Sequence, residues 1–235
     1  METVVLDKIP FEIDREQLYK KLRINNKPNF IQRAEKLIEE ALTIARPKAM
    51  YKKALIEEKG ENYVVIEGIK FISSVLRVNL GEVSKAYPYI ATSGVEIEEW
   101  SKSKDSMLDM LFADAIKEFA LASARKALLA HFKEHVYDGL TSTMNPGSLD
   151  DWPLSEQKNL FALLGNPQEA IGVELSESFL MTPIKSVSGI RFQTDVKFEN
   201  CQLCSREGCP DRKVPYDKKL YEEKYLKNYK NNRPR

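Results

Sequence analysis

The sequence has little cysteine and histidine, the residues that most often serve as nucleophiles, proton carriers or metal ligands. Its 235 residues include three cysteines and two histidines, and 36 Lys and Arg residues nearly balance 35 Asp and Glu residues, for a net charge of +1. A small, odd number of cysteines argues against a disulfide framework and indicates free thiols or metal ligands in a reducing compartment. The balanced charge excludes the overall basic surface that favours nucleic acid.

Long apolar runs and leader-like segments are also missing. No stretch of the sequence approaches the ~20 apolar residues that a transmembrane helix needs. The N-terminal residues 1–7 have neither the basic region nor the apolar core of a signal peptide. We therefore expect a cytoplasmic protein that does not act in a membrane. The motifs G-x-S-x-G, G-x-G-x-x-G and the Walker loop do not occur either, so the hydrolases and nucleotide sites built on them have no support.

Hydrophobic patterning predicts an α+β fold. Apolar residues recur at helical spacing over 30–45 and over 105–136, and the second of these is a long, alanine-rich helix. Strand-like segments are 49–55, 63–69, 86–92 and two more within 171–195. Pro88 favours a sheet edge or a strand start for the segment that contains it. Because a regular βαβ rhythm is missing, we expect a mixed or antiparallel twisted sheet with the long helix and shorter helices packed on it.

A turn-rich loop, residues 141–153, follows the long helix. In Asn145-Pro146-Gly147-Ser148, proline fixes one φ and glycine permits a positive φ. Such a loop before a helix can leave backbone amides free to hold an anion or a carboxylate, and an ordinary turn is the alternative. Beside it, Asp150, Asp151 and Trp152 offer carboxylate and aromatic faces to a ligand cation. The two acids can equally cap the next helix.

The three cysteines form the second candidate site, Cys201-x2-Cys204-x4-Cys209. Two thiolates at x2 spacing are what zinc or an iron–sulfur cluster needs from a single turn. His131 or His135, one helical turn apart, can complete a Cys3His zinc site, whereas a cluster can keep one iron open. Three reduced, metal-free thiols are the remaining interpretation.

The chain ends in a basic, tyrosine-containing tail. We expect residues 1–197 to form the main domain and residues 198–235 to form a segment with the cysteines and this tail. Lys and Tyr side chains can meet phosphates and stack on bases. Without a folded nucleic-acid-binding motif, however, nucleic acid is a poor candidate for the partner.

Two segments resemble the activation domain of cobalamin-dependent methionine synthase. Residues 145–157 (NPGSLDDWPLSEQ) are similar to that domain's Pro-Gly-Tyr loop. Residues 171–189 (IGVELSESFLMTPIKSVSG) are similar to its Leu-Thr-Glu-Ser…Pro…Ser-Val-Ser-Gly segment. The order, the spacing and the short helix between the segments match as well. With the long helix and Ala91-Thr92-Ser93-Gly94, the resemblance covers residues 40–195.

The resemblance implies a stand-alone accessory protein that reactivates a corrinoid-dependent methyltransferase. Its ligand would be S-adenosylmethionine, and cobalamin would sit on the partner, a corrinoid-binding methionine synthase or another corrinoid protein. A low-potential donor such as flavodoxin or ferredoxin would supply an electron to cob(II)alamin, and methyl transfer would restore methylcobalamin. The loop residues implied in ligand binding are Asn145, Pro146, Gly147, Ser148, Asp150, Asp151 and Trp152.

The sequence departs from the family pattern at four positions. An acid just ahead of the proline after the first helix is missing, since Ile44-Ala45-Arg46 precedes Pro47. The family's arginine before the Pro-Gly proline, which contacts the ligand carboxylate, is matched by Thr143, and its tyrosine is matched by Ser148. The acid of the long helix is matched by Leu121, with Glu118 within one turn. The alternative function is a metal- or iron–sulfur-binding redox or interaction module. It would use Cys201, Cys204 and Cys209 on a scaffold that no longer binds S-adenosylmethionine.

Overall fold

A computed structural model describes residues 3–209 and 212–226, and an antiparallel sheet lies at its centre. The strands are β1 (Thr3–Leu6), β2 (Lys48–Lys52), β3 (Ala54–Lys59), β4 (Tyr63–Ile66), β5 (Ile69–Ile72), β6 (Lys85–Thr92), β7 (Thr141–Met144), β8 (Glu174–Leu175), β9 (Met181–Thr182) and β10 (Ser186–Gln193). Strands β8 and β9 form a separate hairpin. In the main sheet the order is β1-β2-β6-β3-β4-β5, and β10 lies along the other side of β6 and pairs with β7.

Helices cover both faces of this sheet. They are α1 (Arg15–Leu22), α2 (Pro28–Ile44), α3 (Ser74–Asn79), α4 (Val95–Lys102), α5 (Met107–His135), α6 (Gln157–Leu164), α7 (Pro167–Ile171) and α8 (Lys218–Leu220), which continues as a π-helical turn over Tyr221–Leu226. The α+β fold is therefore confirmed, with every strand pair antiparallel and α5 as the long helix. Among the described residues, no helix combines the length and the apolar character needed to cross a bilayer.

Pro88 lies in the central strand β6, so the expectation of an edge strand is wrong. The pairing of β6 with β2 ends at the pair Tyr51–Tyr89, and its pairing with β3 begins at Ala54–Ala86. Pro88 falls into the gap between these two ladders. The proline can occupy a central strand because its missing N–H faces an interruption in the neighbouring chain, where no ladder hydrogen bond is lost.

The two faces of the sheet carry separate hydrophobic clusters. Odd-numbered residues of the central strands, such as Tyr51, Tyr87 and Tyr89, pack against the C-terminal half of α5. Even-numbered residues, such as Met50 and Ile90, pack against α3 and α6 on the opposite face. Side chains alternate along a strand, so in β2, β6 and β10 the odd-numbered residues lie on the α5 face and the even-numbered residues lie on the α6 face.

The segment after residue 197 contacts the main core. Phe198 and Tyr225 are 5% and 2% exposed and belong to the cluster on the α6 face, and Leu203 packs against that cluster. The Tyr225 hydroxyl donates a hydrogen bond to Asn79 Oδ1 (2.8 Å). The domain boundary at 197/198 stays a prediction, but residues beyond it take part in the same core.

Tyr225 makes the stability of the protein depend on pH in the alkaline range. Burial raises its pKa to about 12, although the hydrogen bond with Asn79 opposes the rise. Because an unfolded tyrosine titrates near 10, this stabilisation is complete below about pH 10 and is lost as the pH rises to about 12. We expect the free energy of unfolding to fall between pH 9 and 12 by about 1–2 kcal/mol more in the wild type than in Tyr225→Phe. Urea unfolding of both proteins across this range measures the difference; equal losses would contradict it.

Candidate functional site

The loop that carries the resemblance begins where β7 ends, and Asn145 ties it to three other segments. Asn145 Nδ2 donates to Tyr89 Oη (3.0 Å) and to the backbone oxygen of Ser188 (2.6 Å). Its Oδ1 accepts a hydrogen bond from Asn200 Nδ2 (3.0 Å). Asn145 thus joins β7, β6, β10 and the cysteine segment, and both ends of its side-chain amide are already engaged.

The turn at Gly147 closes on itself. Gly147 has φ +79° and donates its N–H to the backbone oxygen of Trp152 (2.8 Å), while the Ser148 N–H meets the oxygen of Asn145 (3.1 Å). The predicted positive φ is present, but these two amides are not free, because the loop uses them internally. The Ser148 and Asp150 side chains are exposed. A ligand at this loop would therefore meet side chains rather than these amides.

A side chain at Gly147 would crowd the side chain of Leu154. A Cβ there would lie 2.9 Å from Leu154 Cδ1, in addition to the strain of a positive φ. We expect Gly147→Ala to lower the free energy of unfolding by about 2–3 kcal/mol, since the left-handed backbone alone costs about 1–2 kcal/mol. Gly68→Ala is the matched control, because Gly68 has a similar φ of +76° with nothing within 4 Å of its Cβ position. Denaturant unfolding compares the two; an equal loss would exclude the contact with Leu154.

Asp151 and Trp152 serve the fold. Asp151 accepts hydrogen bonds from Ser73 Oγ and from the N–H groups of Ser74 (3.2 Å) and Val75 (2.9 Å), so it caps α3 and not the helix that follows it in sequence. Trp152 is fully buried, with its ring 6.3 Å from that of Phe71 in an edge-to-face contact. Their part in ligand binding stays a prediction, and Trp152 presents no exposed aromatic face for it.

The loop and the cysteine segment meet at a cleft on the α6 face. The cleft has a volume of about 210 Å³, and Asp150 and Asp151 line it from the loop while Leu203 and Ser205 line it from the cysteine segment. Val75, Leu149, Tyr216 and Tyr221 complete the walls. The two candidate sites of the sequence are therefore neighbours in space.

An arginine holds the cysteine loop together. The Arg212 guanidinium donates to the backbone oxygens of Cys201 (3.0 Å), Cys204 (3.1 Å) and Arg206. All three cysteines are half-buried free thiols. In the described part of the chain, no three Cys, His, Asp or Glu side chains are grouped closely enough to hold a metal ion. One guanidinium thus holds three backbone carbonyls of the loop.

The Cys3His arrangement is not formed. The His131 ring shares a hydrogen bond between Nδ1 and the Tyr51 hydroxyl (3.2 Å) and stacks on His135 at 4.1 Å. Tyr51 lies on the α5 face, whereas Leu203 of the cysteine segment lies on the α6 face, so the sheet separates the histidines from the thiols. Metal binding by the cysteines alone stays a prediction, which metal analysis of protein purified anaerobically without chelators can check.

Helix α5 carries a buried ion pair and a chain of charges that reaches β10. Lys117 Nζ and Glu98 Oε2 are 3.0 Å apart, and both side chains are almost completely buried. On the same helix, Asp114 and Glu118 both contact Lys185, at 2.9 Å and 3.2 Å, and Glu118 also contacts Lys21. Burial raises the pKa of Glu118, but hydrogen bonds from Lys21 and Lys185 outweigh it and hold the pKa below its usual value. Glu118, the acid nearest the expected position on this helix, is thus ionised and paired.

Sequence reasoning did not single out Arg191, which lies next to the loop on the α5 face. Arg191 in β10 pairs in register with Thr143 in β7, and paired residues share a face of the sheet. Its guanidinium contacts the ring of Tyr89, the residue that accepts a hydrogen bond from Asn145. The alternating pattern of 185–192 predicted a strand, but the register that brings Arg191 opposite Thr143 depends on pairing across about 50 residues of chain.

Comparisons with known proteins agree with the resemblance. The family model described as the activation domain of vitamin B12 dependent methionine synthase matches residues 122–211. A crystal structure of the MetH reactivation domain bound to AdoHcy superposes with a TM-score of 0.61 at 13% identity, covering 85% of this chain and 81% of that one. No curated protein matches the sequence significantly. The chain thus resembles this activation domain in sequence and shares its fold. The matched range also extends past residue 195 and includes Cys201, Cys204 and Cys209.

Proposed function

We propose that this protein is a stand-alone reactivation component for a corrinoid-dependent methyltransferase of the methionine synthase type. The observation that carries the proposal is the family match over 122–211, which spans the Asn145 loop and β10. These two segments contact each other through Asn145 and the backbone of Ser188. The similar solved domain, at 13% identity, was crystallised with AdoHcy, which supports S-adenosylmethionine or its product as the ligand here.

The residues of this chain would bind and orient the ligand rather than react with it. S-adenosylmethionine supplies a methyl group as a sulfonium, and the cobalt on the partner accepts that group after one-electron reduction. The side chains available for ligand contact are those without a structural role in the fold. They include Ser148 at the exposed loop tip and Thr143 in β7. The protein's task is therefore to hold the methyl donor against a docked corrinoid.

We also propose a corrinoid protein and an electron donor as partners, and the cytoplasm as the compartment. The cobalamin belongs to a corrinoid-binding methionine synthase or a similar corrinoid protein, and flavodoxin or ferredoxin supplies the electron in the cytoplasm. Because the corrinoid must be uncovered again for turnover, we expect the complex with the corrinoid protein to be weak and transient. The protein would act as an accessory to the methyltransferase.

Calorimetry with S-adenosylhomocysteine and the full chain tests the ligand. We expect saturable binding at one site, and about a 10-fold loss of affinity when Ser148→Trp fills the space at the loop tip. Ser155→Trp is the matched control, since Ser155 is also exposed but lies in the turn that precedes α6. Saturable heat in the wild type and in Ser155→Trp, with loss only in Ser148→Trp, supports the site. No heat with the wild type contradicts the proposed ligand.

A further inference from the structure

The first two cysteines of the cysteine segment stand at the two ends of one tight turn. A 3₁₀-helical turn covers Asn200–Gln202, and Leu203 follows it with φ −106° and ψ −2°. These angles are those of the third residue of a type I turn, for which about −90° and 0° are typical. Cys201 and Cys204 are the first and fourth residues of that turn, so their Cα atoms lie within about 7 Å of each other. Side chains three residues apart also project to the same side of a 3₁₀ helix.

Arg212 holds the backbone at both ends of this turn. Its Nη1 donates to the backbone oxygen of Cys201 (3.0 Å), and its Nη2 donates to that of Cys204 (3.1 Å). The peptide groups of both cysteines are therefore bound to one rigid, planar group. A disulfide needs Cα atoms about 4.4–6.8 Å apart and Cβ atoms that do not point away from each other. The turn thus brings the two cysteines within reach of a disulfide while both are still reduced.

The third cysteine lies outside the turn. Cys209 follows four exposed residues, 205–208, and all three cysteines are free and half-buried, so none of them is sealed from solvent. Within residues 3–209 and 212–226, no three Cys, His, Asp or Glu side chains form a group that could hold a metal ion. A structural zinc site needs four ligands, whereas a disulfide needs only the two sulfur atoms that the turn brings together.

We propose that Cys201 and Cys204 are a redox-active pair, which a peroxide oxidises to a disulfide and a small dithiol reduces again. The thiolate sulfur of one cysteine attacks hydrogen peroxide, the O–O bond breaks, and a sulfenic acid and hydroxide form. The sulfur of the other cysteine then attacks the sulfenic sulfur, so that the S–S bond forms, the S–O bond breaks and the oxygen leaves as water. In sum, two thiols and one hydrogen peroxide give one disulfide and two water molecules. A dithiol returns the two electrons by thiol–disulfide exchange, as is usual for disulfides in a reducing compartment.

The pair lies beside the candidate loop. Asn200, which precedes Cys201, donates a hydrogen bond to Asn145 Oδ1 (3.0 Å). Leu203, between the two cysteines, packs against the cluster on the α6 face and lines the cleft that Asp150 also lines. A disulfide closes a ring that includes Leu203 and fixes this wall of the cleft. Oxidation of the pair therefore acts on residues that contact the loop.

Peptide mapping after oxidation tests the pairing. The reduced full chain is treated with stoichiometric hydrogen peroxide, quenched with catalase, alkylated with iodoacetamide and digested with trypsin. Trypsin leaves Cys201 and Cys204 together in the peptide 198–206 and leaves Cys209 in the peptide 207–212. We expect the first peptide to lose two hydrogen atoms without alkylation, and the second to be alkylated.

Four results would overturn the proposal. They are a cross-link between the two peptides, alkylation of all three cysteines, sulfinic acid in place of the disulfide, and protection of the thiols by zinc or iron bound in the purified protein. Cys209→Ser is the matched control and should form the disulfide as the wild type does, whereas Cys204→Ser should not. Because no methyl donor or corrinoid protein takes part, these outcomes do not depend on the proposed function.

A redox titration tests the part of Arg212 as a positioning residue. In glutathione buffers of known composition, the ratio of oxidised to reduced peptide 198–206 gives the equilibrium constant for disulfide formation. We expect Arg212→Gln to lower this constant about 10-fold, because the turn loses the hydrogen bonds that hold its two ends. Lys213→Gln is the matched control, since Lys213 is an exposed neighbouring cation 3.8 Å from Glu199, and it should change the constant less than about 2-fold. Equal constants in the wild type and in Arg212→Gln would overturn the part assigned to Arg212.

Discussion

Lys117→Met should be among the most destabilising single substitutions in this protein, with a loss of about 3–5 kcal/mol in the free energy of unfolding. Lys117 and Glu98 are 6% and 3% exposed, and their charges lie 3.0 Å apart. Removing the lysine leaves the Glu98 carboxylate buried, and the one cation that still pairs with it in the described part of the chain is the exposed Lys102 at 3.5 Å. The cost arises mainly from this uncompensated charge, since an intact buried pair adds little by itself.

Two further variants identify the cause of that loss. The double variant Glu98→Gln/Lys117→Met removes both charges, so it should recover a large part of the stability of the single variant. Lys126→Met removes a lysine from an exposed pair with Glu12 and should cost less than about 1 kcal/mol. Chemical denaturation of the four proteins gives the values. A double variant that is less stable than the single one would show that the uncompensated charge of Glu98 does not cause the loss.

Trp152→Ala should cause a loss of similar size, about 3–5 kcal/mol, because it empties a fully buried site between the loop and the α6 face. Trp152→Phe separates volume from hydrogen bonding. Among the described residues, Trp152 Nε1 has no hydrogen-bond partner, so replacing the indole with a phenyl ring loses no polar contact. We expect Trp152→Phe to cost less than about 1.5 kcal/mol. A loss in the phenylalanine variant as large as that in alanine would indicate a partner for the indole N–H that protein atoms do not supply.

The pair Lys117–Glu98 shows which features of the fold can be predicted from the sequence and which cannot. The helix over 105–136 and its alanine-rich pattern were predictable, because apolar spacing at 3.6 residues is a local property. That Lys117, inside this helix, is buried could not be predicted, since its partner Glu98 lies on another helix 19 residues away. Only the crossing of α4 and α5 brings the two charges together.

The loop that contains Gly147 and Asp151 also combines one feature that local sequence predicts with one that depends on tertiary structure. The positive φ at Gly147 followed from the dipeptide Pro146-Gly147, and the structure has it. The cap formed by Asp151 did not follow, because the helix it caps begins at Ser74, far away in the sequence. Local chemistry indicated that Asp151 would cap a helix or meet a cation, and tertiary structure selected a helix that the sequence did not identify. Likewise, the i, i+4 spacing predicts that His131 and His135 share a helix face, and their rings stack. The sheet that separates them from the cysteines forms by pairing of distant segments, which local spacing does not indicate.

Reactivation of a corrinoid protein in trans tests the central claim most directly. A methionine synthase that lacks its own activation domain is held in the cob(II)alamin form and mixed with flavodoxin, its reductase, S-adenosylmethionine and this protein. A separately added activation domain from the same synthase is the positive control. We expect this protein to make the cob(II)alamin absorption disappear and to restore turnover, and we expect both effects to require S-adenosylmethionine. Absorption that persists with this protein, while the control domain abolishes it, would contradict the account.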